Sequence, residues 1–329
     1  MPLSCQLDAF GANPPAIRLA ETAAPSPRPG EVLLEMAAAP VNPADLNTLE
    51  GTYGALPELP ATIGNEGCGR IAAIGAGVEG FEIGALAVPL VRGTWAQSLT
   101  VPAEKLIPLP DGIDPLQASM LAVNPATAWR LLHDFRPLRP GDWIVQNAAN
   151  SGVGRAVIAI ARSLGIRTLN LVRRPEAAEE LKALGGDVVE TEPCSLRTRT
   201  RELCSGSLPV LALNAVGGAS ALELANALAP GSPHVTYGAM ARQPLKIPNG
   251  LLIFQNISFH GFWLRRWADA APPAELRATY SHLAGLIASG KIAVPIEKIL
   301  PLREVQSAIA LAASPGRKGK ILLDLRPGC

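Results

Sequence analysis

The chain has 329 residues, 48% of them hydrophobic and 17% charged, with a formal net charge of +1. That length accommodates two domains with sizeable cores, and the composition excludes a disordered chain. The small net charge excludes a broad field for nucleic acid or a membrane surface. No uncharged apolar run approaches the roughly 18 residues that would suggest a membrane span.

The N-terminal residues, MPLSCQLDAFGANPP, carry neither a basic–apolar signal peptide nor an Arg/Ser-rich presequence, so a cytoplasmic enzyme is expected, with a processed organellar protein as the alternative. Through residue 120 the chain is rich in Gly and Pro, with short apolar runs such as EVLLEMAA, GRIAAIGAG and ALAVPLV. These predict strands of a barrel-like or folded-sheet unit. Residues 115–135, PLQASMLAVNPATAWRLLHDF, predict helix interrupted around Asn124-Pro125.

After Pro140-Gly141 strands and helices alternate. The predicted strands are DWIVQNA, RTLNLVR, DVVE, PVLALNAV, HVTYGAM and ISFHGFW; helical segments such as GRAVIAIARSL, EAAEELKAL and SALELANAL separate most of them. This alternation implies a parallel sheet with right-handed crossovers, the plan of a dinucleotide-binding domain. Residues 273–289 predict a further helix, and the tail from Val294 predicts strand, helix and closing strand. The expected fold class is α/β, a Rossmann-type doubly wound parallel sheet plus a β-rich domain. The boundaries are 1–122, with 293–329 returning to it, and 123–292.

The stretch from Asp142 to Arg174 carries the clearest chemistry. In Ala149-Asn150-Ser151-Gly152-Val153-Gly154 an imperfect GxGxxG lies between a strand and a helix. Backbone N–H groups and the helix dipole at such a turn face a pyrophosphate. Arg173 and Arg174 stand after the second strand, where an Asp or Glu would accept from the ribose of NAD. Two arginines suit the 2′-phosphate of NADP instead. Gly217-Gly218 and Tyr237-Gly238-Ala239-Met240 follow later strands, on the edge where parallel sheets bind ligands.

Other candidates are weaker. Cys5, Cys68, Cys194, Cys204 and Cys329 form no CxxC pair and read as reduced thiols, with neither a disulfide framework nor a structural zinc site. Cys68 reads as a small packed residue rather than a nucleophile, since no activating base adjoins it. His133, His234, His260 and His282 share no metal-ligand spacing and read as structural.

The layout resembles the medium-chain dehydrogenase/reductase superfamily, which pairs a GroES-like catalytic domain with a Rossmann domain. Zinc-dependent alcohol dehydrogenases of that superfamily place Cys and His where this chain has Asn42 and Asn65. Asn is a poor zinc ligand, and the four-cysteine lobe is missing, so a zinc-free member without catalytic metal is implied. The segments VNPADLNTLEGTYGALPELPATIGNEG, VNPATAW, QNAANSGVG, TLNLVRR, YGAMARQP and HGFWLRRW are similar to those of mitochondrial-type trans-2-enoyl-CoA (enoyl-ACP) reductases.

That resemblance implies NADPH-dependent reduction of an enoyl thioester, a step of fatty acid metabolism, with Tyr53 as the catalytic acid. Hydride addition at Cβ builds charge on the thioester oxygen before Cα is protonated. A phenol of pKa about 10 is protonated at neutral pH and can donate. It further implies that Asn124 meets the nicotinamide, that Asn150, Ser151, Gly152 and Val153 hold the pyrophosphate, and that Arg173 with Arg174 hold the 2′-phosphate. Tyr237, Gly238, Ala239 and Met240, with Phe262, Trp263 and Leu264, would line the nicotinamide and substrate cleft. A basic residue of GRKGKILL, Lys318 or Lys320, would reach the cofactor. The implied partners are an enoyl thioester of CoA or of acyl-carrier protein and a second copy in a homodimer. Two rivals stand beside this reading: an NADPH:quinone oxidoreductase, and a catalytically silent nucleotide-binding protein.

Overall fold

The computed structural model describes residues 1–23 and 25–328, so Cys329 lies outside the described residues. In chain order the elements begin with β1 (Leu3–Ala9), β2 (Ala16–Glu21), β3 (Glu31–Pro40), α1 (Pro43–Glu50), β4 (Ala61–Thr62) and β5 (Cys68–Ile74). There follow β6 (Leu86–Pro89), β7 (Ser98–Pro102), β8 (Leu106–Pro108) and α2 (Pro115–Ala118). Then come α3 (Asn124–His133), β9 (Trp143–Gln146), α4 (Gly152–Ser163), β10 (Arg167–Val172), α5 (Ala177–Leu184), β11 (Val188–Thr191) and α6 (Leu196–Leu203). Next are β12 (Leu211–Asn214), α7 (Gly218–Ala227), β13 (Pro233–Thr236), α8 (Asn249–Ile253), β14 (Ser258–Gly261) and α9 (Leu264–Ala270). The chain closes with α10 (Pro273–Ala288), β15 (Ile296–Pro301), α11 (Val305–Ala313) and β16 (Lys320–Asp324).

Two compact units divide these elements: Met1–Val123 with the segment from Ala271 onward, and Asn124–Ala270. In the first unit β2-β1-β4 form a small antiparallel sheet. A larger sheet runs β15-β16-β3-β5-β6-β8, with β7 also paired to β3. β3 shows why it sits centrally: Val32, Leu34 and Met36 alternate into the core, the period-two pattern of a strand with one buried face. The core they join includes Trp95, Leu106, Leu300, Ile309 and Ile321. The returning β16 pairs antiparallel with β3, placing Asp324 opposite Ala38.

The division falls at residue 270 rather than 292, because α10 packs in the first unit. Its buried residues include Leu276, Tyr280, Leu283 and Ile287, and the Tyr280 hydroxyl donates to the Ala122 carbonyl at 3.0 Å.

The second unit holds one parallel six-stranded sheet in the order β11-β10-β9-β12-β13-β14. This is the Rossmann order, and its switch point lies at β9, flanked by β10 on one side and β12 on the other. The strands are apolar and buried on both faces, with Ile144, Val145, Leu169, Leu171, Leu211 and Leu213 at 0% exposure. Asn124-Pro125 starts α3 instead of interrupting a longer helix; proline's missing N–H is harmless at a helix start. Phe262 and Trp263 lie past β14 and Leu264 opens α9, so the last strand ends at Gly261.

Candidate active site

In the second unit every strand relevant to a ligand ends on one sheet edge, and the sequence there has turned polar. Past β9, Ser151 caps α4: its side-chain oxygen accepts from the Gly154 N–H at 3.1 Å. Gly154 is required by packing, since a Cβ there would meet the Ala149 carbonyl oxygen at 2.5 Å. The turn leaves the first N–H groups of α4 without intrahelical partners, as at any helix start. Asn150, Ser151 and Gly152 are half-buried around it, and Val153 is buried.

Two buried donors near this turn lack hydrogen-bond partners. One is Asn124 Nδ2, on a side chain packed against Gly152, whose Cβ would lie 3.1 Å from it. The other is the Tyr237 hydroxyl, buried beside Ser151 without a hydrogen bond of good geometry. Burial raises the Tyr237 phenol above its ordinary pKa, so it stays protonated. Buried donors are normally satisfied, so this pair fits an anionic, hydrogen-bonding ligand at the turn.

Beyond β10, Arg173 is exposed and Arg174 half-buried. Beyond β13, Gly238 approaches the chain past β12 closely: its Cβ would lie 2.9 Å from the Ala215 oxygen. Ala239 and Met240 are exposed. Beyond β14, Phe262 and Trp263 are half-buried, and Phe262 meets Phe135 edge-on at 6.0 Å.

Sequence reasoning missed the polar network beneath this edge. Asn147 donates to Asn214 Oδ1 and to Ser220, both at 2.9 Å, and accepts from the Ala215 N–H at 2.7 Å. Asn214 Oδ1 also accepts from the N–H groups of Val216 and Gly217 at 3.1 and 3.0 Å, and its amide donates to Thr236. Gln146 ties the Gly154 carbonyl to Asn170. The signal was available: asparagines interrupting apolar strands whose neighbours are fully buried. Arg155 was missed as well. Its buried guanidinium lies 2.5 Å from Glu180, with Nε 3.4 Å from the Asn150 carbonyl oxygen.

In the first unit Tyr53 stands one turn past α1. The Thr52 and Tyr53 N–H groups donate to the Asn47 carbonyl at 2.9 and 3.2 Å. Gly51, at φ +76°, lets the chain leave the helix. The start of α1 belongs to a buried ionic cluster. Asn42 donates through Nδ2 to Glu66 at 2.7 Å, and its backbone N–H donates to Asp45 at 2.7 Å. Asn42 Oδ1 accepts from Lys320. Asn65 donates to Asp45 at 2.7 Å, and Glu66 accepts from the Val123 N–H at 2.7 Å. Burial pushes the Asp45 carboxyl up to about 6 and that of Glu66 up to about 7, despite the nearby Lys320, and burial pulls the Lys320 ammonium down. Lys318 is exposed, its backbone N–H bonded to Glu297.

Cys68 is fully buried, its thiol donates to the Pro115 carbonyl, and burial raises it to about 12, which suits packing rather than nucleophilic chemistry. His234 is buried against the Ala221 carbonyl and is pulled down to about 4 by burial.

Residues 28–111 match the family described as "Alcohol dehydrogenase GroES-like domain", and residues 152–279 match "Zinc-binding dehydrogenase". Among characterised proteins, the chain is 42% identical over 305 residues to the human mitochondrial enoyl-[acyl-carrier-protein] reductase. That match covers 91% of this chain and 82% of the relative. The rat protein of the same name is 42% identical over 292 residues, covering 87% and 78%. The chain belongs to the mitochondrial-type enoyl reductases of the medium-chain dehydrogenase/reductase superfamily.

Solved structures agree on the fold. A complex named as Etr1p with NADP and crotonyl-CoA aligns with a TM-score of 0.88 at 28% identity, covering 98% of this chain and 99% of that one. A putative NADPH:quinone reductase from Bacillus thuringiensis aligns at 0.91 and 27%, covering 98% of each.

The zinc in the second family description does not fit this enoyl reductase. Asn42 and Asn65 offer amides where thiolate or imidazole would be needed, and Asn42 Oδ1 is already engaged by the Lys320 ammonium. Among the described residues no group of three or more His, Cys, Asp or Glu side chains could hold a metal ion.

Proposed function

We propose that this chain reduces trans-2-enoyl thioesters to saturated acyl thioesters with NADPH. The observation that carries the reading is the 42% identity to enoyl-[acyl-carrier-protein] reductases across 91% of the chain. The orphaned donors Asn124 Nδ2 and Tyr237 OH at the phosphate turn support it.

The capped turn at Asn150, Ser151, Gly152 and Val153 holds the pyrophosphate on α4's N-terminal N–H groups. Asn124 donates to the nicotinamide amide. Arg173 and Arg174 bind the 2′-phosphate, and Tyr237 to Met240 with Phe262 to Leu264 shape the acceptor side and exclude water. When bound, NADPH supplies the hydride that goes to Cβ. Tyr53 hydrogen-bonds the thioester oxygen as charge builds there, and its phenol supplies the proton that ends on Cα. The C=C bond becomes a C–C single bond, and a proton from solvent restores the Tyr53 phenol for the next turnover. Of the two lysines of GRKGKILL, Lys320 is engaged by Asn42 in the first unit's ionic cluster while Lys318 is exposed, which supports Lys318 as the cofactor contact.

The acyl carrier is CoA or acyl-carrier protein. Arg265 and Arg266 are exposed at the start of α9, with Asp269 3.1 Å from Arg265, and would meet an anionic group of either carrier. The working form is a homodimer. Its support is the outer strand β14 with the exposed Phe254 and Ile253 nearby, and a solved relative from Candida tropicalis is described as an Etr1p/Etr2p heterodimer. A cytoplasmic location fits the free thiols of Cys5, Cys68, Cys194 and Cys204. Among the described residues no helix is long and apolar enough to cross a membrane.

A quinone reductase is the second reading, favoured by the TM-score of 0.91 to the Bacillus thuringiensis protein. Steady-state NADPH oxidation with enoyl-CoAs of increasing length and with simple quinones separates the two. Enoyl-CoA turnover with saturated acyl-CoA as product is expected; turnover of quinone alone overturns the reading.

A further inference from the structure

The loop that carries Tyr53 has little regular structure of its own between Gly51 and Pro60. Its inner anchor is the Asn47 carbonyl of α1. A second anchor comes from Arg92, on the segment joining β6 to β7. The Arg92 guanidinium carbon lies 5.7 Å from the centroid of the Tyr53 ring, and Nη1 donates to the Ala55 carbonyl at 2.9 Å. One side chain therefore holds both the ring and the backbone two residues beyond it.

Arg92 can do this because its own backbone is held. Leu90 N–H donates to Lys105 O at 2.8 Å, Gly93 N–H to Gly64 O at 2.9 Å, and Trp95 N–H to Ile63 O at 2.9 Å. Trp95 is fully buried. Gly64 sits at φ +107°, and a Cβ there would meet Trp95 Cδ1 at 2.4 Å, so the two segments pack too closely for any other residue. Arg92 thus stands on a rigid base and reaches across to a loop without one. A guanidinium is well matched to this double contact. Its planar fork donates to a carbonyl while its face stays near an aromatic ring, which an ammonium cannot match.

We propose that Arg92 is a positioning residue for Tyr53, fixing the ring so that its hydroxyl meets the thioester oxygen. This rests on the reading of Tyr53 as the acid. The test is a double-mutant cycle on kcat for crotonyl-CoA reduction, using the full chain with Arg92→Met, Tyr53→Phe and the double variant. Phe keeps the ring but removes the hydroxyl that is to be positioned. The expected result is a kcat about tenfold lower for Arg92→Met, with KM for NADPH unchanged and no further loss when Arg92→Met is added to Tyr53→Phe. An equal loss in both backgrounds overturns the proposal while leaving Tyr53 as the acid. Wild-type kcat in Tyr53→Phe alone overturns the Tyr53 reading, and the Arg92 role with it. Should Arg92→Met not fold, Arg92→Lys carries the same cycle: a deficit confined to the Tyr53 background is expected, and an equal deficit in both backgrounds overturns the proposal.

Discussion

The Lys320 ammonium, at the start of the returning strand β16, donates to Asn42 Oδ1 at the start of α1, 278 positions away in sequence. Around them Asp45 and Glu66 are buried at 2% and 0% exposure. One cation thus faces two carboxylates with almost no water to screen them. Such clusters gain little net stability over an apolar core, but removing one partner strands the others. Lys320→Met is therefore expected to destabilise the protein by about 3–5 kcal/mol. Chemical denaturation at pH 7 measures it, and adding Glu66→Gln to Lys320→Met recovers part of the loss.

The same cluster has an unusual pH dependence. Glu66 is raised from 4.5 to about 7 and Asp45 from 3.8 to about 6, both mainly by burial. A raised folded pKa means that the native state holds the proton more tightly. The contribution is complete below the unfolded values and is lost as pH rises through the folded ones. These two groups therefore weaken the fold between about pH 4 and pH 7, opposite to a salt-bridged carboxylate. The melting temperature of Glu66→Gln relative to wild type is expected to rise between pH 5 and pH 7.5; a constant difference contradicts the assignment.

Tyr53→Phe is expected to lower kcat for enoyl-CoA by about 10²-fold or more, the usual loss for a general acid, with Kd for NADPH unchanged. Fluorescence titration of NADPH and initial rates check the two halves separately.

Replacing Arg173 and Arg174 together by Ala is expected to weaken NADPH about 10- to 100-fold, the worth of one or two charge-assisted hydrogen bonds, and to leave NADH unaffected. The single variants rank the pair. Arg173, exposed at the strand end, is expected to carry the larger share.

Asn214→Ala removes the acceptor that holds the Val216 and Gly217 N–H groups and leaves Asn147 without one of its partners. A loss of about 1–3 kcal/mol in stability is expected, together with weaker NADPH binding because the turn before α7 loosens. Asn214→Asp, which keeps the acceptor but buries a charge and loses the amide that donates to Thr236, is expected to recover only part of the stability.

How much of this was legible in the chain differs by unit. The six parallel strands were readable because apolar runs alternate with amphipathic helices, and the strand–turn–helix at Gln146 to Gly154 has its own signature. Strand ends were overestimated: HVTYGAM stops at Thr236, where the chain turns to bring Gly238 against Ala215. α10 is amphipathic either way, and its packing in the first unit, with the Tyr280 bond to Ala122, is visible only in three dimensions. α1 escaped notice because PVNPADLNTLE has a weak apolar stripe: its buried face is Asp45, Thr48 and Leu49, with Asp45 drawn into the ionic contacts at the helix start. The resemblance left Lys318 and Lys320 equal as cofactor contacts, since nothing in GRKGKILL tells a buried lysine from an exposed one. The Lys320 partners Asp45 and Glu66 are visible only in three dimensions, as is Arg92 beside Tyr53.

Product analysis of crotonyl-CoA incubated with NADPH and the purified chain tests the reaction most directly. Formation of butyryl-CoA, one per NADPH oxidised, is the expected result. NADPH oxidation with quinones but no saturated product from crotonyl-CoA or from any longer enoyl-CoA would contradict it.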